Sequence, residues 1–444
     1  MVNFSKDFIF GTATSSYQIE GAVRDGGRTP SIWDTFSEIP GKVLNGDTGE
    51  IACDHYHRLE EDVELIKSLG VDSYRFSIAW PRIFPKEGEY NPEGMEFYRE
   101  LSIKLREAGI KPFVTIYHWD MPQWAYEQGG WVSRNSVQWF KEFAEKCFIE
   151  LNDYVEMWIT HNEPWCAALL GYHQGVHAPG HKNMDEAVRA AHHIMLSHGE
   201  VVKLYKEELK LHKAIGITLN LSPVYAASES QNDQLAANNF DGYLNRWFLD
   251  PIFKGKYPTD MMNLFSKYVH SYDFIQPGDM ELISYPCDFL GINFYNRQLI
   301  EFSSAADFLF TPAYSDYPKS GMGWDISPKE FKELIYRLRK EYTELPIFIT
   351  ENGAAFDDVL EEDGSVHDHE RVGYMEQHIK AVGELNQEGF NIAGYYLWSL
   401  LDNFEWAFGY EKRFGITFVD FKTQKRYLKD SAKRYAEIVK NRKV

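Results

Sequence analysis

The sequence predicts one (β/α)8 barrel spanning residues 1–444. Two observations carry that expectation. Eight short runs rich in β-branched and aromatic residues recur along the chain, separated by longer segments of helical period, as repeated βα units around a parallel sheet require. No Pro/Gly-rich seam, low-complexity linker or fixed-period repeat divides the 444 residues, and barrels of this kind routinely exceed the average domain length.

The eight predicted strands run, in order, from Phe8 to Thr12, Ser73 to Ile78, Pro112 to Tyr117, Val155 to His161, Ala214 to Asn220, Phe289 to Asn293, Ile347 to Glu351 and Gly394 to Trp398. Between the first two, Leu59, Val63, Ile66 and Leu69 form an apolar stripe at three- and four-residue steps, and Gly70 supplies a left-handed stop. Tyr98, Leu101 and Leu105 repeat the pattern before Gly109. Phe140, Phe143 and Cys147 continue it, as do the segments Ala187 to Tyr205, Phe331 to Leu338 and Ala432 to Val439.

Composition narrows the function. Hydrophobic residues make up 44% and charged residues 25%, the balance of a globular protein with a large core. A net charge of -20 argues against nucleic acid and anionic membranes, which demand basic patches; the short stretches Lys422 to Arg426 and Lys440 to Lys443 read as solvated faces. A small neutral partner fits better. The aromatic fraction of 16% falls largely between the apolar runs, which is compatible with a ligand surface as well as with a bulky core.

Cys53, Cys147, Cys166 and Cys287 are scattered without a C-x-x-C pair, so neither a zinc knuckle nor a disulfide framework is expected. His55/His57, His192/His193 and His367/His369 lack the third ligand of a motif such as H-E-x-x-H, and the glycines near Gly26 and Gly27 form no phosphate cradle. No metal, nucleotide or other cofactor is expected. Without a secretory leader or an apolar run of membrane-spanning length, a cytoplasmic location is the expectation; subunit number is left open.

Barrel enzymes build their sites where strands end, and these ends collect Arg75, His118, Asn162 with Glu163, Asn293 with Tyr295, Glu351 with Asn352, and Trp398. So many polar groups on a buried rim are costly unless they serve each other or a ligand. Glu163, in Ile159-Thr160-His161-Asn162-Glu163-Pro164, and Glu351, in Ile347-Phe348-Ile349-Thr350-Glu351-Asn352-Gly353, each follow an apolar strand. The pair closes strands four and seven, placed across the barrel from each other. Two such carboxyls suit glycoside hydrolysis: one protonates the departing oxygen and the other attacks or stabilises the oxocarbenium-like centre. A gap of roughly 5 Å implies retention of configuration and roughly 6.5–9.5 Å inversion. A plain ion pair with Arg75 is the alternative.

The chain resembles glycoside hydrolase family 1 over essentially its whole length. Phe8-Ile9-Phe10-Gly11-Thr12-Ala13-Thr14-Ser15-Ser16-Tyr17-Gln18-Ile19-Glu20-Gly21 is similar to the family's opening signature, Thr160 to Pro164 to its acid/base motif and Ile349 to Gly353 to its nucleophile motif. The resemblance implies a retaining β-glucosidase acting by double displacement, with Glu351 as nucleophile and Glu163 as acid/base. It implies that Asn162 bonds the 2-hydroxyl of the sugar ring and that Tyr295 and Arg75 steady Glu351. Gln18, His118, Glu405 and Trp406 match residues that bind the remaining hydroxyls, and Trp398 the platform beneath the ring. Trp165, His177, Trp324 and Phe414 fall in loops expected to line the aglycone side.

Family members that prefer 6-phosphosugars carry a Ser and a downstream Lys-x-Tyr in place of the pattern found from Trp398 to Tyr410, and Glu405 would repel a phosphate. The expected substrates are therefore neutral: terminal β-D-glucosyl units, with galactosyl or fucosyl units, on cello-oligosaccharides and alkyl or aryl glucosides. A transglycosylase using the same covalent intermediate is the main rival, a 6-phospho-β-glucosidase a lesser one and a sugar-binding barrel without turnover another.

Overall fold

Eight parallel strands close on themselves in chain order in the computed structural model, which describes residues 1–444. They are β1 (Ile9–Ala13), β2 (Ser73–Ser77), β3 (Lys111–Tyr117), β4 (Met157–Asn162), β5 (Ala214–Asn220), β6 (Phe289–Asn293), β7 (Ile347–Asn352) and β8 (Ile392–Trp398). Each pairs in parallel with the next, and β1 closes the ring against β8. All eight coincide with the predicted runs to within two residues at either end. β4 and β7 stand three steps apart on the eight-membered ring, one short of fully opposite.

The outer helices bury the predicted stripes. Leu59–Leu69 ends at Gly70 with φ +67°, and Pro92–Glu107 and Asn135–Leu151 follow the same logic. Their apolar faces and the outward strand residues form the principal core. A second cluster fills the barrel itself, where the rings of Phe113, Phe289, Phe348 and Tyr396 meet at centroid distances of 5.2–5.8 Å. Above this aromatic floor lies a layer of hydroxyls and one guanidinium: Arg75 Nε donates to Thr115 Oγ1 at 3.0 Å, and Thr218 Oγ1 to Thr350 Oγ1 at 3.2 Å. Carboxylates crown that layer. The lumen thus grows more polar toward the strand ends, so a charged site rests on a rigid, dry base.

Several elements were not anticipated. Val224–Ala226, Gln298–Phe302 and Phe310–Pro312 form a three-stranded sheet beside the mouth, and Thr417–Asp420 pairs with Lys425–Leu428 as a hairpin after β8. Cys166–Gln174 winds as a π-helix directly behind the end of β4. No helix is long and apolar enough to cross a membrane. The chain ends meet: Val2 N–H donates to the Val444 carbonyl at 2.7 Å, and Val444 N–H to the Val2 carbonyl at 3.1 Å.

Candidate active site

Register breaks place the two carboxyls. Pairing of β4 with β5 shifts between Ile159 and Asn162, and that of β7 with both neighbours shifts between Ile349 and residues 351–352. Such irregularities re-aim side chains at strand ends. Glu163 follows β4 in a left-handed conformation, φ +48°, fixed by its N–H donating to the Thr218 carbonyl at 2.9 Å. A non-glycine residue there is strained and is held by its surroundings.

Both carboxyls are buried and share one donor network. Arg75 Nη1 donates to Glu351 Oε1 at 2.7 Å, and Tyr295 Oη to Glu351 Oε2 at 2.5 Å. Arg75 Nη2 donates to Asn162 Oδ1 at 2.7 Å. Asn293 Nδ2 donates to Glu163 Oε1 at 2.7 Å and to Asn162 Oδ1 at 3.0 Å, while its Oδ1 accepts from Thr350 Oγ1 at 2.7 Å. Cys166 Sγ donates to Glu163 Oε2 at 3.1 Å. Asn293 therefore sits between the two sites as a hub.

The environments differ in the way acid and nucleophile require. Burial, reinforced by the negative charge of Glu351, pushes the Glu163 carboxyl well above the ordinary carboxylate range. Burial also raises Glu351, but the adjoining Arg75 charge and the Tyr295 hydroxyl oppose it, so it is the more readily ionised of the two. Arg75 pairs with Glu351 as the alternative reading of the sequence had it. The same guanidinium also reaches the Thr350 carbonyl, Thr115 and Asn162, so the ion pair is part of a larger assembly.

A cavity of about 580 Å³ opens over this network. Among the candidates, His118, Glu163, Trp165, His177, Tyr295, Trp324, Glu351, Trp398, Glu405, Trp406 and Phe414 line it, whereas Arg75, Asn162 and Gln18 do not reach its surface and connect to it through hydrogen bonds to lining residues. Asn162 Nδ2 approaches His118 Nε2 at 3.1 Å; since an amide nitrogen only donates, the imidazole proton resides on Nδ1, which has no protein partner. Burial and the Arg75 charge hold His118 neutral. Gln18 spends its amide on the β8 loop, donating to Asn403 Oδ1 at 3.0 Å and the Phe404 carbonyl at 2.9 Å, with Glu405 Oε2 at 3.5 Å. Glu405 is otherwise free of side-chain donors, and burial with the charges of Glu351 and Glu163 pushes it up to about 8.

The aromatic candidates divide. His118 stacks with Trp398 and with Trp406, both at 6.0 Å. His177 lines the cavity and packs among Trp33, Trp119 and Trp406. Phe414 is buried, in a triangle with Tyr295 and Trp324. Trp165 and Trp324 keep partly open faces. Sequence reasoning missed Trp119, Cys166, Asn220, Ser222, Asn296 and Gln298, all on the lining. Asn293 had been noted at its strand end without a role. Asn220 closes a predicted strand and could have been found by that signal; the others sit on loops whose path only tertiary structure sets.

Residues 1–444 match the family profile described as Glycosyl hydrolase family 1. Beta-glucosidase A from Acetivibrio thermocellus is 45% identical over 444 residues, covering 99% of both chains. The "Bifunctional beta-D-glucosidase/beta-D-fucosidase" from Bifidobacterium breve is 42% identical over 461 residues and 98% of each chain. The crystal structure of the GH1 β-glucosidase from Exiguobacterium antarcticum B7 superposes with a TM-score of 0.98 at 66% identity, covering 99% of either chain.

Proposed function

The chain belongs to glycosyl hydrolase family 1, and from that premise we propose that it is a retaining β-glucosidase whose catalytic unit is the whole barrel. One observation carries the mechanism: two carboxyls from the ends of β4 and β7 line a single cavity in unlike environments. Glu351, kept ionised by Arg75 and Tyr295, attacks the anomeric carbon as Glu163 gives its proton to the departing aglycone oxygen. Loss of the Glu351 charge in the glycosyl ester then lowers the Glu163 proton affinity, so Glu163 becomes the base that activates water.

Three glutamate side chains and no lysine or arginine line the cavity, which favours a neutral glycone over a 6-phosphosugar. The His118 imidazole and the Glu405 carboxyl, both on the lining, serve the ring hydroxyls, with Trp398 as an aromatic face beneath them and Asn162 assigned to the 2-hydroxyl. Glucosyl units fit this set, and the Bifidobacterium relative extends the expectation to fucosyl units. Trp165 and Trp324 with the polar side chains of Asn220, Ser222, Asn296 and Gln298 offer a second sugar stacking and hydrogen bonds, so cello-oligosaccharides join aryl glucosides as substrates. Four free, buried cysteines suit a reducing, cytoplasmic compartment.

Proton NMR of an aryl β-glucoside digest tests the mechanism: β-glucose is expected to form first, and α-glucose as first product would overturn it. Glu351→Gln is expected to lower kcat by roughly 10,000-fold or more, as loss of a nucleophile does.

A further inference from the structure

The Glu163 carboxyl has two protein donors: Asn293 Nδ2 on one oxygen at 2.7 Å and the Cys166 thiol on the other at 3.1 Å. Cys166 also donates its N–H to the Glu163 carbonyl at 3.0 Å, beside the Ala167 N–H at 3.3 Å, while the Glu163 N–H is held by the Thr218 carbonyl. The residue is 7% exposed and forms part of the cavity lining, one turn into the segment that leaves β4. The other three cysteines play no part in this cavity.

A side chain in this place must meet two opposed demands. The acid carboxyl has to point at the glycosidic oxygen, so it needs a partner that fixes its rotamer. Yet a strong donor would stabilise the anion and hold the proton away from the leaving group. A thiol satisfies both, being a directional but weak donor. Burial and the Glu163 charge raise the Cys166 thiol well above its ordinary range, so it stays S–H and serves only as a donor.

We propose that Cys166 is a positioning residue for Glu163: its S–H fixes the orientation of the acid/base carboxyl while leaving the proton free for transfer to the aglycone. The inference rests on Glu163 being the acid/base. The other charged or titratable groups that face Glu163 are Glu351 from β7, Arg75 from β2, Tyr295 from the loop after β6 and Glu405 from the loop after β8. None of them is replaced in the test.

Cys166→Ala removes the donor and Cys166→Ser substitutes a stronger one. The basic limb of the kcat/KM profile is expected to move up by about half a pH unit in the alanine variant and down by a similar amount in the serine variant. The alanine variant is also expected to lose roughly tenfold more kcat/KM on cellobiose, whose leaving group needs a well-aimed proton, than on 2,4-dinitrophenyl β-glucoside, which does not. A residue that only fills space would move neither the limbs in opposite senses nor the ratio between substrates. Limbs coinciding with the parent in both variants overturn the proposal, as do equal losses on the two substrates. Glu163→Ala, assayed alongside with azide, separates the two readings. Azide rescue with unmoved Cys166 limbs sinks the role of Cys166 alone; no rescue sinks the acid/base assignment on which it stands.

Discussion

At the scale of single residues, chemistry is set by who donates to which carboxyl oxygen. Tyr295→Phe removes the 2.5 Å hydrogen bond to Glu351 and leaves the ring in its triangle with Trp324 and Phe414. Losing a hydrogen bond to a charged group costs about 1.5–3 kcal/mol, so kcat is expected to fall roughly 10- to 100-fold with a smaller change in KM. Steady-state kinetics on an aryl glucoside check this. The parent enzyme is expected to show a bell-shaped kcat/KM profile, its acid limb reporting mainly Glu351 ionising and its basic limb Glu163 losing its proton, both above the ordinary carboxylate range because burial raises each. Glu163 and Glu351 were legible as candidates because each ends an apolar run. Asn293 shares that strand-end signal, but its role as a donor to Glu163 and the whole of Cys166 were hidden, because nothing in their local sequence says that a side chain 130 positions away, or three, will accept their hydrogen bonds.

At the scale of elements, backbone approach matters more than side-chain type. Gly353, at the exit of β7, lies so close to the end of β8 that an added Cβ would stand 1.7 Å from the Trp398 carbonyl oxygen. Gly353→Ala must push the end of β7 away from the end of β8, with an expected cost of about 3 kcal/mol or more and a lower kcat in whatever folds. Gly373, inside helix His369–Gln387, is the contrasting case: nothing lies nearer than 4.0 Å to its would-be Cβ, and Gly373→Ala is expected to stabilise by about 0.5–1 kcal/mol. Chemical denaturation of both variants measures the difference. The eight strands and principal helices could be read from periodicity because each repeats its pattern over enough residues to be distinctive. Val224–Ala226 and Phe310–Pro312, at three residues each, hold no period to detect, and the π-helical turns at 166–174 and 204–208 look like ordinary helix in sequence.

At the scale of the whole molecule, the ring is braced where the catalytic loops leave it. Buried Lys429 donates to Asp402 Oδ1 at 2.7 Å and to Asp358, while Arg371 holds Asp358 and Asp368 and Arg413 holds Asp402. This network fastens the loops after β7 and β8 to the last two helices, which is why charged residues far from the cavity are as buried as those within it. A ring has no first member. Because Val2 and Val444 already hydrogen-bond to each other, a short flexible linker can join them, and new ends can be opened in the exposed turn between Glu362 and Asp363 without cutting a barrel strand. Such a circularly permuted gene, translated with β8 leading and β7 last, is expected to yield a protein that still cleaves aryl glucosides, as an assay of the purified permutant would show. Which βα unit the ribosome writes first is then a matter of history, and the fold can be re-spelled from a different starting letter.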